Sequence, residues 1–165
     1  MGEPEMPRIR NYRPDDWDTF LELDQETGLS TLRSAPKAEK DAFLARWAEI
    51  LKTTCMWTEA GPTVDKSVLF VLEDDDQTYA GHLWLCEEDD TFSGAPRLWV
   101  RTVAIVAKYR SRGWGRLLME RAVEEARLRK LATVGLSVAA DNVVARKLYE
   151  EMGFEATRLN MLKRI

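Results

Sequence analysis

The chain is poor in cysteine, histidine and long hydrophobic runs, and each shortage narrows what it can be. Cys55 and Cys86 stand alone, with no partner at metal-ligand spacing. They read as buried free thiols of a reducing, cytoplasmic compartment rather than as a disulfide or zinc framework. His82 is the single histidine, which leaves no cluster suited to a metal. No apolar stretch approaches the ~20 residues of a membrane span. The first residues lack the basic flank and apolar core of a secretory signal, and Met6 stands where a myristoylation signal beginning at Gly2 needs Ser or Thr. Positive charge is also short: 24 Lys and Arg against 28 Asp and Glu, a net charge of −4, which argues against a dedicated nucleic-acid binder.

What is present fits one soluble domain over 1–165. The chain has 165 residues, 45% of them hydrophobic and 32% charged, enough for an adequate core. Ile9 to Tyr12 reads as a first strand. Pro14-Asp15-Asp16 reads as a helix start, with Trp17, Phe20 and Leu21 on one face. Gly28 to Ser34 reads as a loop before a second helix, whose Phe43, Trp47, Ile50 and Leu51 repeat at helical spacing. Gly61-Pro62 closes that region. Val68 to Leu72 and Thr78 to Cys86 form a hairpin around Asp74–Gln77, and Glu87 to Pro96 is an acidic loop. Leu98 to Val106, a long helix ending near Lys130, and Val134 to Val138 form a strand–helix–strand unit, which implies parallel pairing. A helix capped by Asp141 or Asn142 follows, stopped at Gly153, and residues 154–163 read as a last strand.

Two stretches carry the chemistry. In the first, an apolar strand ends in Ala107-Lys108-Tyr109-Arg110-Ser111-Arg112-Gly113-Trp114-Gly115-Arg116. Two glycines in the first turn of a helix each cost roughly 0.5–1 kcal/mol against Ala, a loss that suits close approach of a ligand to the backbone. Unpaired N–H groups, the positive end of the helix dipole and three arginines make an anion cradle, most simply for phosphate. In the second, Asn142, Ala145, Tyr149, Gly153 and Phe154 punctuate a strand–helix–turn. Together, over about 98–156, they resemble the GNAT superfamily of acyl-CoA-dependent N-acetyltransferases: Arg110-x-x-Gly113-x-Gly115 is similar to its pyrophosphate loop, and the second stretch to its Asn–Tyr–Gly-Phe segment.

The resemblance implies an α/β sandwich, with a mixed central sheet of six or seven strands, helices on both faces and the order β-α-α-β-β-β-α-β-α-β. It implies that strands 98–106 and 134–139 splay apart. The pantetheine arm of acetyl-CoA would enter there and pair with backbone at Val103, Ile105 and Ala107, while Asn142 and Ala145 hold the arm. Tyr149 would protonate the departing thiolate, and a backbone N–H near Ile105 would hold the oxyanion. Trp114 either packs under the strands or flanks the cofactor. No metal is required. The acceptor is then an amine, cationic when free, met by the region of 14–62 and the loop 87–97; Trp99 and Arg101, which share a strand face, are read from the sequence as bordering it. Glu22, Glu87 and Glu88 are candidates for the base by location alone. Whether the chain is a monomer or a homodimer stays open. A non-catalytic acyl-CoA-binding sensor on the same fold is the alternative.

Overall fold

The computed structural model describes residues 6–54, 57–58, 60–62 and 66–165; Cys55 lies outside them. β1 (Arg8–Asn11) leads through a 3-10 turn at Pro14–Asp16 into α1 (Trp17–Thr31) and α2 (Lys37–Thr54). A two-residue hairpin, β2 (Trp57–Thr58) with β3 (Gly61–Pro62), precedes β4 (Ser67–Glu73), β5 (Tyr79–Asp89) and β6 (Pro96–Ile105). Then come α3 (Trp114–Leu128), β7 (Val134–Leu136) and α4 (Val143–Glu151).

Among the described residues the main sheet has five strands, in the order β1-β4-β5-β6-β7, and not the six or seven that the resemblance implies. β6 and β7 are parallel and the other neighbours antiparallel. Residues 154–163, read as a last strand, pair with nothing in the sheet. Leu159, Met161 and Leu162 are all exposed there, so the alternating apolar pattern that suggests a strand buries no surface.

Two apolar layers flank the sheet. Phe70, Leu72, Leu83, Leu85, Leu98 and Val100 pack against Leu118, Met119, Ala122 and Ala126 of α3. On the other face Leu69 and Trp84 meet Phe20 of α1 and Leu51 of α2. β6 carries a bulge: Trp84 of β5 faces Thr102 and Leu85 faces Val100, so Arg101 is the extra residue. The bulge reverses the side-chain alternation, and Leu98, Val100, Val103 and Ile105 therefore all reach the α3 side.

Gly28 lies inside α1 rather than in a loop. A Cβ there would sit 2.4 Å from Phe43 Cζ, so the glycine is where α2 presses its aromatic ring onto α1. Of the acidic loop read over Glu87 to Pro96, residues 87–89 continue β5 and Pro96 opens β6, so the loop shrinks to 90–95.

Candidate active site

The β6–β7 ladder runs Leu98↔Val134, Trp99↔Gly135, Val100↔Leu136 and stops. β6 goes on to Ile105 paired to β5 alone, so beyond Val100 its other edge has no strand paired to it. Val106 N–H bonds the Ala80 carbonyl at 2.9 Å. By alternation the main-chain groups of Val103 and Ile105 face the vacated edge. There the Ile105 carbonyl accepts Arg110 Nε at 3.0 Å.

The gap opens onto the loop before α3. Ala107–Tyr109 makes a 3-10 turn, closed by Arg110 N–H to the Ala107 carbonyl at 3.2 Å. Ser111 and Gly113 both have left-handed backbone, φ 63° and 80°. Gly113 is not in the helix but is its N-cap, and no side chain caps α3. The α-helical ladder starts with Leu117 N–H to the Gly113 carbonyl at 3.2 Å, which leaves the Trp114, Gly115 and Arg116 N–H groups without a helical partner. Left-handed residues running into a right-handed helix turn such groups toward one concavity, a form suited to an anion. A Cβ built on Gly113 would meet nothing within 4 Å, so the concavity is open where a larger residue would fill it. These features fit the diphosphate of coenzyme A.

The three arginines are turned elsewhere. Besides the Ile105 carbonyl, Arg110 reaches Glu26 of α1 at 3.2 Å. Arg112 donates to the Lys108 carbonyl at 3.3 Å, and Arg116 to Glu151 of α4 at 2.7 Å. The cradle is made by the backbone rather than by guanidiniums. Trp114 packs: it is 5% exposed and stacks on Tyr109 with centroids 5.0 Å apart. Tyr109 in turn donates to Asp74, whose carboxyl this bond and the Thr78 N–H hold below the usual carboxylate range.

α4 lies beside the cradle. A Cβ on Gly115 would come 3.6 Å from Leu148 Cδ2, one residue before Tyr149. Tyr149 is half-buried against the α3-side core, 5.9 Å from the Phe154 ring, and burial pushes its phenol above 10.0. Among the described residues its hydroxyl has no hydrogen-bond partner. Asn142, not Asp141, caps α4: its Oδ1 accepts Ala145 N–H at 3.2 Å, which leaves its NH₂ as a donor. Asp141 instead accepts Ser34 Oγ at 3.0 Å.

Two of the three acidic residues put forward for the acceptor side are engaged. Glu88 accepts Arg97 at 2.7 Å and Arg101 at 2.8 Å, Glu87 lies 3.7 Å from Arg129, and Glu22 is exposed on α1. His82 is fully buried: Tyr79 Oη lies 2.8 Å from its Nδ1 and Asp24 Oδ1 3.2 Å from its Nε2. Asp24 and Tyr79 give no local signal in sequence, because their partner lies 58 residues away in one case and across a bulge in the other. Cys86 is free and half-buried. Among the described residues no group of three or more His, Cys, Asp or Glu side chains is placed to hold a metal, and no helix is long and apolar enough to cross a membrane.

Comparison with known proteins bears on this arrangement. The model of the acetyltransferase (GNAT) family matches residues 17–154. The [ribosomal protein bS18]-alanine N-acetyltransferase of Escherichia coli is 43% identical over 56 residues, 33% of this chain and 38% of that protein. Mycothiol acetyltransferase of Corynebacterium diphtheriae is 32% identical over 90 residues, 54% of this chain and 29% of that one. The matches thus span well under half the length of these relatives. Among solved structures, an acetyl transferase from Pyrococcus furiosus superposes with a TM-score of 0.79 at 25% identity, over 97% of this chain and 100% of that one. AAC(6')-Iy in complex with a CoA-containing bisubstrate analogue shares the fold, with a TM-score of 0.61 at 19% identity over 97% and 98% of the two chains.

Proposed function

The chain belongs to the acetyltransferase (GNAT) family, and from that premise we propose that it transfers an acetyl group from acetyl-CoA to a primary amine of a small molecule or peptide by direct attack. The observation that carries this reading is the edge of β6 left without a paired strand beyond Val100, on the strand that leads into the uncapped start of α3. An extended ligand can pair with the freed edge at Val103 and Ile105 while its phosphates meet the amides from Gly113 to Arg116. The Ile105 carbonyl becomes available to it once Arg110 turns from that oxygen to the phosphate or the solvent. Ala107, Ser111, Arg112 and Trp114 shape the turn rather than touch the ligand through charge. The Asn142 NH₂ and the Ala145 side of α4 border the arm.

Acetyl-CoA supplies the activated acyl group; the chain supplies position and protons. A free amine of reference pKa near 10.4 is neutral in only about four molecules per ten thousand at pH 7, so the site must remove a proton before attack. A main-chain N–H near Ile105 holds the oxyanion, and the Tyr149 phenol protonates the leaving sulfur. Burial raises the phenol, so it stays protonated, and carries a hydrogen to give, throughout the neutral range.

One observation favours the alternative of a non-catalytic acyl-CoA sensor: of the three carboxylates put forward as base, Glu88 is committed to two arginines and Glu87 lies beside Arg129, which leaves only the exposed Glu22. Thiol release from acetyl-CoA across an amine panel separates the two. Coenzyme A titrated into wild type and Gly113→Glu by calorimetry tests the cradle itself. Binding is expected in wild type and lost in the variant, whose circular dichroism stays native. Unchanged affinity in Gly113→Glu sinks the cradle.

A further inference from the structure

We propose that the acceptor carries an anionic group, a carboxylate or phosphate, and that Arg101 recognises it on the α1–α2 side of the sheet. This rests on the acyltransferase reading of the same site and names its substrate class.

Arg101 is the bulge residue of β6 and the first one beyond the last β7 pair, so it stands where that edge of β6 loses its paired strand. Leu98 and Val100 point to the α3 core, which sends Trp99 and Arg101 to the opposite face. The guanidinium is anchored but far from saturated. Its Nη2 donates to Glu88 at 2.8 Å, while its Nε is buried without a hydrogen-bond partner. A guanidinium has five N–H donors in a fixed fork, and a buried donor left unmade is costly. The fork suits a bidentate carboxylate or phosphate, and 24% of the side chain is exposed to receive one.

The surroundings set the sign of the charge. Glu88 also accepts Arg97 at 2.7 and 3.2 Å. Arg97 continues to Asp90, which takes Arg158 at 2.9 and 3.1 Å. Three guanidiniums thus share two carboxylates, and the trough has positive charge to spare. Within the acidic run from Glu87 to Asp90, Glu88 and Asp90 are neutralised in place by these arginines. Trp99 provides a flat wall: its ring lies over Gly135, where a Cβ would come within 2.6 Å, and Arg97 covers the ring at 4.1 Å. The amine of such an acceptor is presented to the gap while its anionic group is held at the mouth.

The test is calorimetric binding to protein saturated with coenzyme A, using propylamine, β-alanine and phosphoethanolamine. Both anionic amines, or one of them, should bind at least roughly tenfold tighter than propylamine, as charge-assisted pairs do. The two anionic arms distinguish carboxylate from phosphate. The preference should vanish in Arg101→Gln, persist in part in Arg101→Lys, and strengthen in Glu88→Gln, which removes the competing carboxylate. Equal or undetectable binding of all three probes, or a preference that survives Arg101→Gln, overturns the proposal. Thiol release is read separately. Anion preference without turnover of any amine fells the transferase reading and with it the acceptor named here, leaving only an anion site at Arg101; turnover without preference overturns this inference and leaves the transferase reading standing.

Discussion

At the scale of single residues, Tyr149 is the side chain to which the proposed mechanism assigns the leaving-group proton. Its hydroxyl has no partner among the described residues, and its ring is fixed between the core and Phe154. Tyr149→Phe keeps that packing and removes only the proton. A general acid contributes about 10²–10⁴-fold, so kcat should fall by at least about a hundredfold while acetyl-CoA affinity barely moves. Full turnover in steady-state assays of the variant would strip Tyr149 of the role. The pH dependence has a definite sign. Burial raises the folded phenol above 10.0, so its contribution to stability is complete below the unfolded value and lost as pH rises beyond it. A difference ultraviolet titration, wild type minus Tyr149→Phe, should place phenolate formation above 10.

At the scale of elements, Gly28 shows how a correct residue-level reading can give the wrong element. Glycine normally costs about 1 kcal/mol against alanine in a helix interior, so a glycine among Thr27, Ser30 and Ser34 reads as a loop. α1 nevertheless runs through it, because Phe43 of α2 fills the space a side chain would take. Gly28→Ala should therefore fail to deliver the usual gain of up to about 1 kcal/mol, and should deliver it in a Phe43→Ala background. Urea denaturation of the four proteins gives the coupling; additive effects would mean that the ring moves aside freely.

The same distinction governs what is legible in the site. Gly113 and Asn142 are readable as backbone features because local geometry favours those residue types: a left-handed cap before α3 and a side-chain cap of α4. Gly115 is not demanded in this way, since a Cβ there would make only an ordinary contact 3.6 Å from Leu148. The open edge of β6 is readable only through family resemblance. The Arg101 bulge is not readable, since a one-residue slip leaves no mark in an apolar strand. The true partners of Arg110 and Arg116 are also hidden, because each is set by an element far along the chain.

For the whole molecule, the C-terminal segment is where local pattern and tertiary outcome diverge most. Residues 155–165 carry strand-like alternation, yet they leave the sheet at five strands and lie along the surface. Two contacts tie them down: Arg158 on Asp90 and Arg164 on Glu39. The first is the stronger anchor. Asp90 also accepts the N–H groups of Phe92 and Ser93, and Arg158 rests on the Phe92 ring at 4.2 Å. Arg158, then the Ser93 N–H, hold the Asp90 carboxyl well below the usual carboxylate range. The pair's contribution is thus present above the unfolded carboxyl value and lost as pH falls into the strongly acid region. Arg158→Ala should free the segment without unfolding the domain, since the Arg158 side chain lies half in solvent and the pair is screened there. Asp90→Ala should do more, because it also undoes the 90–95 turn and leaves Arg97 with Glu88 alone. Hydrogen exchange by mass spectrometry separates the two. Arg158→Ala should speed exchange in 155–165 only, and Asp90→Ala in 155–165 and 90–97 together. Unchanged exchange in 155–165 for both variants would mean that the segment is held by the sheet edge rather than by this ion pair, and the five-strand limit would fall with it.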